Sequence, residues 1–284
     1  MSKTREVVKV VAGNEQKDGA GVRLVRVLGP GTVADFDPFL MLDAFDSRDP
    51  DDYVRGFPWH PHRGIETVTY LIQGNIEHGD SLGNQGSITD GCCQWMTAGS
   101  GIIHQEMPQA YPRMLGLQLW VNLPAKDKMV KPKYRDLKAE LIPKIEDAAG
   151  TVAVIAGRYG DAEGATQGDY VRVTMLGVNL KPGAVWSMPV DAEATVFAYT
   201  FEGEGAFGGA ATPVGSRRAA LFGGGDEVSV TAGPEGLRFV LVAGRPLREP
   251  VAWGGPIVMN TQAELNQAFA EIENGTFIRC RTGR

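Results

Sequence analysis

Cysteine is scarce: Cys92, Cys93 and Cys280 are the only three in 284 residues, and none forms a C-x-x-C pair. An odd number without that spacing argues against a thiolate metal site. The adjacent Cys92 and Cys93 precede Gln94-Trp95-Met96 in what reads as a buried strand, so small core side chains are expected there. Basic runs are absent, and 28 Lys+Arg against 34 Asp+Glu leave a net charge of -6. Without a basic stripe to neutralise phosphates, direct nucleic-acid binding is not expected. Met1 to Val11 is polar and no later stretch is long and apolar enough to span a bilayer, so no membrane partner and a cytoplasmic location are expected. Gly223-Gly224-Gly225 lacks the lysine and the strand-to-helix context of a phosphate loop.

What the chain has in quantity is glycine, at 37 residues, and proline, at 17, set between short apolar runs such as Thr67 to Ile72 and Arg238 to Val242. That punctuation predicts an all-β protein of many short strands. One stretch breaks it. In Thr261 to Asn274, Thr261 can cap a helix with Glu264 three residues on, Leu265, Phe269 and Ile272 share a face, and Gly275 can end it. A charged interval from Lys126 to Gly150 reads as a connection between two β-rich halves. The expected division is 1-135, a linker at 136-150, and 151-284 ending in the helix. The halves echo each other weakly, Thr97-Ala98-Gly99 against Thr231-Ala232-Gly233, and Tyr70 with Gly74 against Tyr199 with Gly203.

Histidine is scarcer than its arrangement would suggest. All four lie between Phe57 and Glu106, and three of them open two short patterns, His60-Pro61-His62 and His104-Gln105-Glu106. On a strand, residues i and i+2 share a face about 6.6 Å apart, and neighbouring strands lie about 4.8 Å apart. Two such strands side by side would set His60, His62, His104 and Glu106 at the corners of a quadrilateral able to hold one divalent ion. His78, in Glu77-His78-Gly79-Asp80, reads instead as part of a solvated turn. Carried across to the second half, the four positions fall on Pro189, Asp191, Phe239 and Leu241, and no histidine follows His104, so the second half is not a histidine-based metal site.

These residues resemble a known family. Gly56-Phe57-Pro58-Trp59-His60-Pro61-His62-Arg63-Gly64-Ile65-Glu66-Thr67-Val68-Thr69-Tyr70-Leu71 and Gln94-Trp95-Met96-Thr97-Ala98-Gly99-Ser100-Gly101-Ile102-Ile103-His104-Gln105-Glu106-Met107-Pro108 are similar to the two metal motifs of the pirin family, within the cupin superfamily. The similarity continues through Gln118-Leu119-Trp120-Val121-Asn122-Leu123-Pro124 and Gly255-Pro256-Ile257-Val258-Met259-Asn260. It implies a bicupin: two antiparallel jelly-roll β-barrels packed together with a short C-terminal helix, and one metal in the N-terminal barrel. It further implies His60, His62, His104 and Glu106 as ligands of that ion, usually iron. Glu66, an acid after the H-x-H, is the rival for the fourth place. It lies about 13 Å along a continuous strand from His62 and is left to support the ligands or the fold.

Imidazole and carboxylate suit Fe(II), Mn, Ni, Co, Cu or Zn. Four protein ligands would leave open positions for dioxygen and an organic oxygen. Some pirin-like proteins are described as quercetin 2,3-dioxygenases, which implies a flavonol bound through its 3-hydroxyl and Glu106 as the base. The family also implies a different role, a redox-sensitive regulator that binds other proteins. A third reading gives the ion a stabilising role alone.

Overall fold

The computed structural model describes residues 2–279. Its chain is mostly strand, and by contacts it divides into two compact units. The first joins the segment up to Gly13 and Ala34–Pro38 to Glu140–Pro246. The second joins Asn14–Val33 and Phe39–Ala139 to the segment from Leu247 onward.

The unit built on Glu140–Pro246 is a nine-stranded antiparallel sheet whose longest members, Thr195–Phe207 and Glu227–Gly244, pair with each other. Its core is apolar throughout, with Val154, Leu176, Val196, Phe207, Phe239 and Leu241 all buried. Phe239 and Leu241 are the positions to which His104 and Glu106 were carried, and hydrocarbon stands at both.

The other unit sets two sheets together. One has seven strands in the order Lys133–Leu137, Cys93–Thr97, Ile65–Gln73, Met114–Asn122, Phe39–Ser47, Val22–Leu28 and Asn14–Asp18. The second has four: Phe57–His62, Ile102–Pro108, Ile76–Asp80 and Gln85–Ile88. Neither closes into a barrel with continuous pairing, so each half is a jelly roll of open sheets. Ile102–Pro108 alternates buried and half-buried, the period of a strand with one face on a core. Cys93–Thr97 is buried along its whole length, as expected for the two cysteines, while Cys280 lies outside the described residues.

The contiguous division expected from sequence does not describe these units. Residues 136–150 are not a free linker, since they include the end of a strand paired with Cys93–Thr97 and the strand Lys144–Glu146 paired with Gly150–Ala156. The helix forms over Gln262–Glu273 with the Thr261/Glu264 capping box, and Gly275 follows with φ +69°. It belongs with the histidine-bearing unit: Leu265 and Ala268 pack with Ile257, Met259 and Phe277, against which Ile103 also lies. Phe269 stays 38% exposed, so the buried face is narrower than the periodicity implied.

Arg63 ties this tail down. Its buried guanidinium donates to the Ser100 carbonyl (2.8 Å), the Phe277 carbonyl (3.1 Å) and the Glu271 carboxylate (2.7 Å). Burial raises the Glu271 carboxyl, but hydrogen bonds from Arg63, Arg279 and Gln267 outweigh it and hold its pKa at about 2, against an ordinary 4.5. A depressed carboxyl stabilises the fold above its unfolded pKa and loses that contribution as pH falls through the folded value. Thermal melts of the wild type should therefore show helix docking weakening between about pH 4.5 and 2, with Glu271→Gln abolishing that acid dependence. Gly64 sits at φ +79°, where an added Cβ would lie 1.9 Å from the Val258 carbonyl oxygen. Gly64→Ala should cost about 3 kcal/mol in denaturant unfolding.

Candidate metal centre

Within the four-stranded sheet, Phe57–His62 runs antiparallel to Ile102–Pro108 with His60 directly opposite His104. His62 faces Ile102, and Glu106 faces Phe57 across a register shift. The quadrilateral expected from spacing did not fix which corners face each other across the strands. With His60 opposite His104 and the strands antiparallel, His62 and Glu106 diverge to either side of that pair. The three imidazoles still converge: ring centroids are 4.8 Å apart for His60 and His62, 4.4 Å for His60 and His104, and 5.0 Å for His62 and His104. One nitrogen from each lies within 4.8 Å of the others, and the Glu106 carboxylate does not join that group.

The protonation of these rings is fixed by backbone. Nδ1 of His60 meets the Pro58 carbonyl at 2.8 Å and Nδ1 of His62 meets the Pro256 carbonyl at 3.1 Å. Carbonyls only accept, so both Nδ1 atoms carry the hydrogen and both Nε2 atoms carry lone pairs. Those two Nε2 atoms face each other at 3.1 Å. Nε2 of His104 is buried with no hydrogen-bond partner among the described residues. Burial, reinforced by His60, lowers the His62 pKa to about 3, and burial with His62 and His60 nearby lowers His104 well below its usual value. The nitrogens that converge here, with Nε2 of His104 buried and unpartnered, leave polar atoms unsatisfied, which is costly. A proton between His60 and His62 would serve two of them; a metal ion serves all three. The donor set fits a divalent cation.

Glu106 shares the inward face with His104, as the i+2 spacing requires, and is buried. Its carboxylate accepts from Gln118 Nε2 at 3.0 and 2.8 Å and from Thr69 Oγ1 at 3.2 Å. Burial raises its pKa, opposed by His60, Gln118 and Thr69. Thr69 and Gln118 belong to a polar row across the seven-stranded sheet, in which Asp136, Gln94, Thr69, Gln118, Asp43 and Arg26 are successive cross-strand partners. Polar side chains inside apolar strands marked that row in the sequence, yet nothing local tied Gln118 or Thr69 to Glu106.

Two other expectations change. Glu66 accepts from Thr97 Oγ1 at 2.6 Å. Gly64 breaks the strand between His62 and Ile65, so face parity cannot be carried from the histidines to Glu66. Lying three residues from Thr69 in an unbroken register, Glu66 points to the opposite face of the sheet from Glu106's partner, and has no part in this cluster. His78 is not in a solvated turn: it is buried on Ile76–Asp80 opposite Glu106, with its ring stacked on Tyr134 and Nε2 bonded to that hydroxyl, which also bonds Asp136.

Beside His60 and His62 opens a cavity of about 460 Å³. Phe57, Met41, Trp120 and Trp253 give it apolar walls, and Gln118, Asp43 and Arg26 give it polar ones. Trp120 stands edge-on to His62 at 5.0 Å and 84°. A cleft of this size and lining suits one small aromatic molecule.

A converging imidazole cluster in one of two jelly-roll units defines a metal-binding cupin of the two-domain kind. The pirin domain profile matches residues 21–121 and the pirin C-terminal cupin domain profile matches 175–278. Over 277 residues the chain is 45% identical to a pirin-like protein of Caulobacter vibrioides, covering 96% of this chain and 99% of that one. It is 42% identical over 290 residues to pirin of Homo sapiens, covering 99% and 98%. A solved structure of quercetin 2,3-dioxygenase from Acinetobacter baumannii superimposes with a TM-score of 0.87 at 32% identity, covering 96% of this chain and 98% of that one. The chain belongs to the pirin family. No helix among the described residues is long and apolar enough to cross a membrane.

If an ion satisfies the three nitrogens, adding Fe(II), Co(II) or Ni(II) to metal-free protein should raise the melting temperature, by about 2 °C or more for each kcal/mol of linkage. His104→Ala should lose that rise, as read by differential scanning calorimetry.

Proposed function

We propose that the protein is a metal-dependent dioxygenase that cleaves an enolic aromatic substrate of the flavonol type, quercetin being the representative, with one divalent ion, iron by preference, held by His60, His62 and His104 and by Glu106 when it is drawn in. The observation that carries this reading is the convergence of three imidazoles, two of which line an aromatic-walled cavity. The match to a quercetin 2,3-dioxygenase along nearly the whole chain supports it.

The ion, when bound, supplies acidity toward a substrate hydroxyl and one-electron exchange with dioxygen. The chain supplies the rest. The Pro58 and Pro256 carbonyls accept from Nδ1 of His60 and His62 and so turn the Nε2 atom of each ring toward the place an ion would occupy. Trp120 and Trp253, 5.7 Å apart and tilted by 37°, offer flat walls to a planar ring system and exclude water from it. Glu106 accepts the proton of the substrate's 3-hydroxyl, a role favoured by burial that raises its pKa above the ordinary carboxylate value. Both oxygen atoms of dioxygen end in the opened product, and one ring carbon leaves as carbon monoxide.

Iron-loaded protein should consume oxygen and release carbon monoxide with quercetin in equal amounts, and His60→Ala and His104→Ala should each lower the rate by about a hundredfold or more. Oxygen uptake no greater than that of the His104→Ala protein, across flavonols and catechols, would overturn the reading.

A further inference from the structure

The Glu106 carboxylate is bound here by an amide rather than grouped with the imidazole nitrogens. That amide could point either way, and a neighbour decides its direction. Trp120 Nε1 donates to Gln118 Oε1 at 3.3 Å. An indole N–H can only donate, so Gln118 turns its oxygen to Trp120 and its NH2 to Glu106. The NH2 spans both carboxylate oxygens at 3.0 and 2.8 Å, and Thr69 adds a third donor at 3.2 Å. Gln118 and Trp120 line the cavity together with His60 and His62, and Glu106 and Thr69 connect to it through their hydrogen bonds with Gln118.

We infer that Gln118, oriented by Trp120, is a positioning residue that holds Glu106 in a reserve position, so that the carboxylate is an exchangeable rather than a permanent fourth donor to an ion on the three histidines. The inference rests on the metal reading above and adds a residue to it. To reach the ion, Glu106 must give up charge-assisted hydrogen bonds to Gln118, and these favour the withdrawn position. With Glu106 so held, the ion would rest on the three histidines alone, and the carboxylate would remain free of it to accept a proton from a bound oxygen. The opposite role for Gln118 has the opposite sign. An amide that supported a permanently bound Glu106 would strengthen metal binding, and losing such support typically weakens affinity 10–100-fold.

The sign of the effect on metal affinity is therefore the test. Co(II) binding to metal-free wild type, Gln118→Met, Glu106→Gln and the double variant is measured by competition with a chromogenic chelator, and the visible Co(II) spectrum of each is recorded. Gln118→Met is expected to bind Co(II) about tenfold more tightly than wild type, because the buried carboxylate has lost its competing donors. Its spectrum should lose intensity as the coordination number rises. In the Glu106→Gln background the same substitution should change neither affinity nor spectrum, which a merely structural role for Gln118 would not produce. Trp120→Phe, which frees the amide to turn, should shift affinity in the same direction by a smaller factor. Unchanged or weaker Co(II) binding by Gln118→Met would overturn the inference, as would an equal effect in the Glu106→Gln background. If the wild type fails to bind Co(II), or His104→Ala binds as well as wild type, the metal reading itself has failed, a result distinct from any outcome for Gln118.

Discussion

Two backbone carbonyls impose the constraint on which this structure turns. By accepting from Nδ1 of His60 and His62, the Pro58 and Pro256 carbonyls leave lone pairs pointing inward at one another. Bringing neutral acceptors face to face in a buried place is unfavourable, and the surrounding fold has to hold them there. The pairing of Phe57–His62 with Ile102–Pro108 supplies one part of that hold, and the staple of Arg63 on Ser100, Glu271 and the Phe277 carbonyl supplies another. A cation that neutralises the three nitrogens converts the strain into binding energy.

The seven-stranded sheet contributes a floor of different character. Its row from Arg26 to Asp136 carries hydrogen-bonding groups through an otherwise apolar interior, so each member must be satisfied by a neighbour. Arg26 meets Asp43 through two bonds of 2.8 and 2.6 Å, and Tyr134 joins Gln94 to Asp136 and His78. Gln118 and Thr69, at the middle of the row, spend their donors on Glu106 from the facing sheet. The acid of the second histidine motif is thereby anchored to one sheet and carried by the other. Its orientation depends on both.

What could be read from the residues, and what could not, follows from this division. Spacing at i and i+2 put His60 and His62 on one face, and His104 and Glu106 on another, because the strand period is local. The capping box of the terminal helix was legible for the same reason. Register was not local: nothing within either motif states that His60 opposes His104. Glu66 was placed on one continuous strand with His62, which ends at His62 and resumes at Ile65 beyond Gly64. His78 looked like a turn because its neighbours are polar and small, whereas its burial comes from Tyr134, more than fifty residues on. The contiguous domain division failed because each unit incorporates a segment distant in sequence.

One of those distant segments sets an order of events in the cell. Pro256, whose carbonyl fixes the tautomer of His62, lies 194 residues beyond it. Both histidine motifs leave the ribosome long before that carbonyl exists. A nascent chain presents both motifs before the carbonyl that orients His62 has been made. That orientation waits for the hairpin of Ala252–Gly254 and Ile257–Met259, beside which Pro256 lies. A chain cut short before Pro256 would keep all four histidines and lack the group that sets the tautomer of one of them.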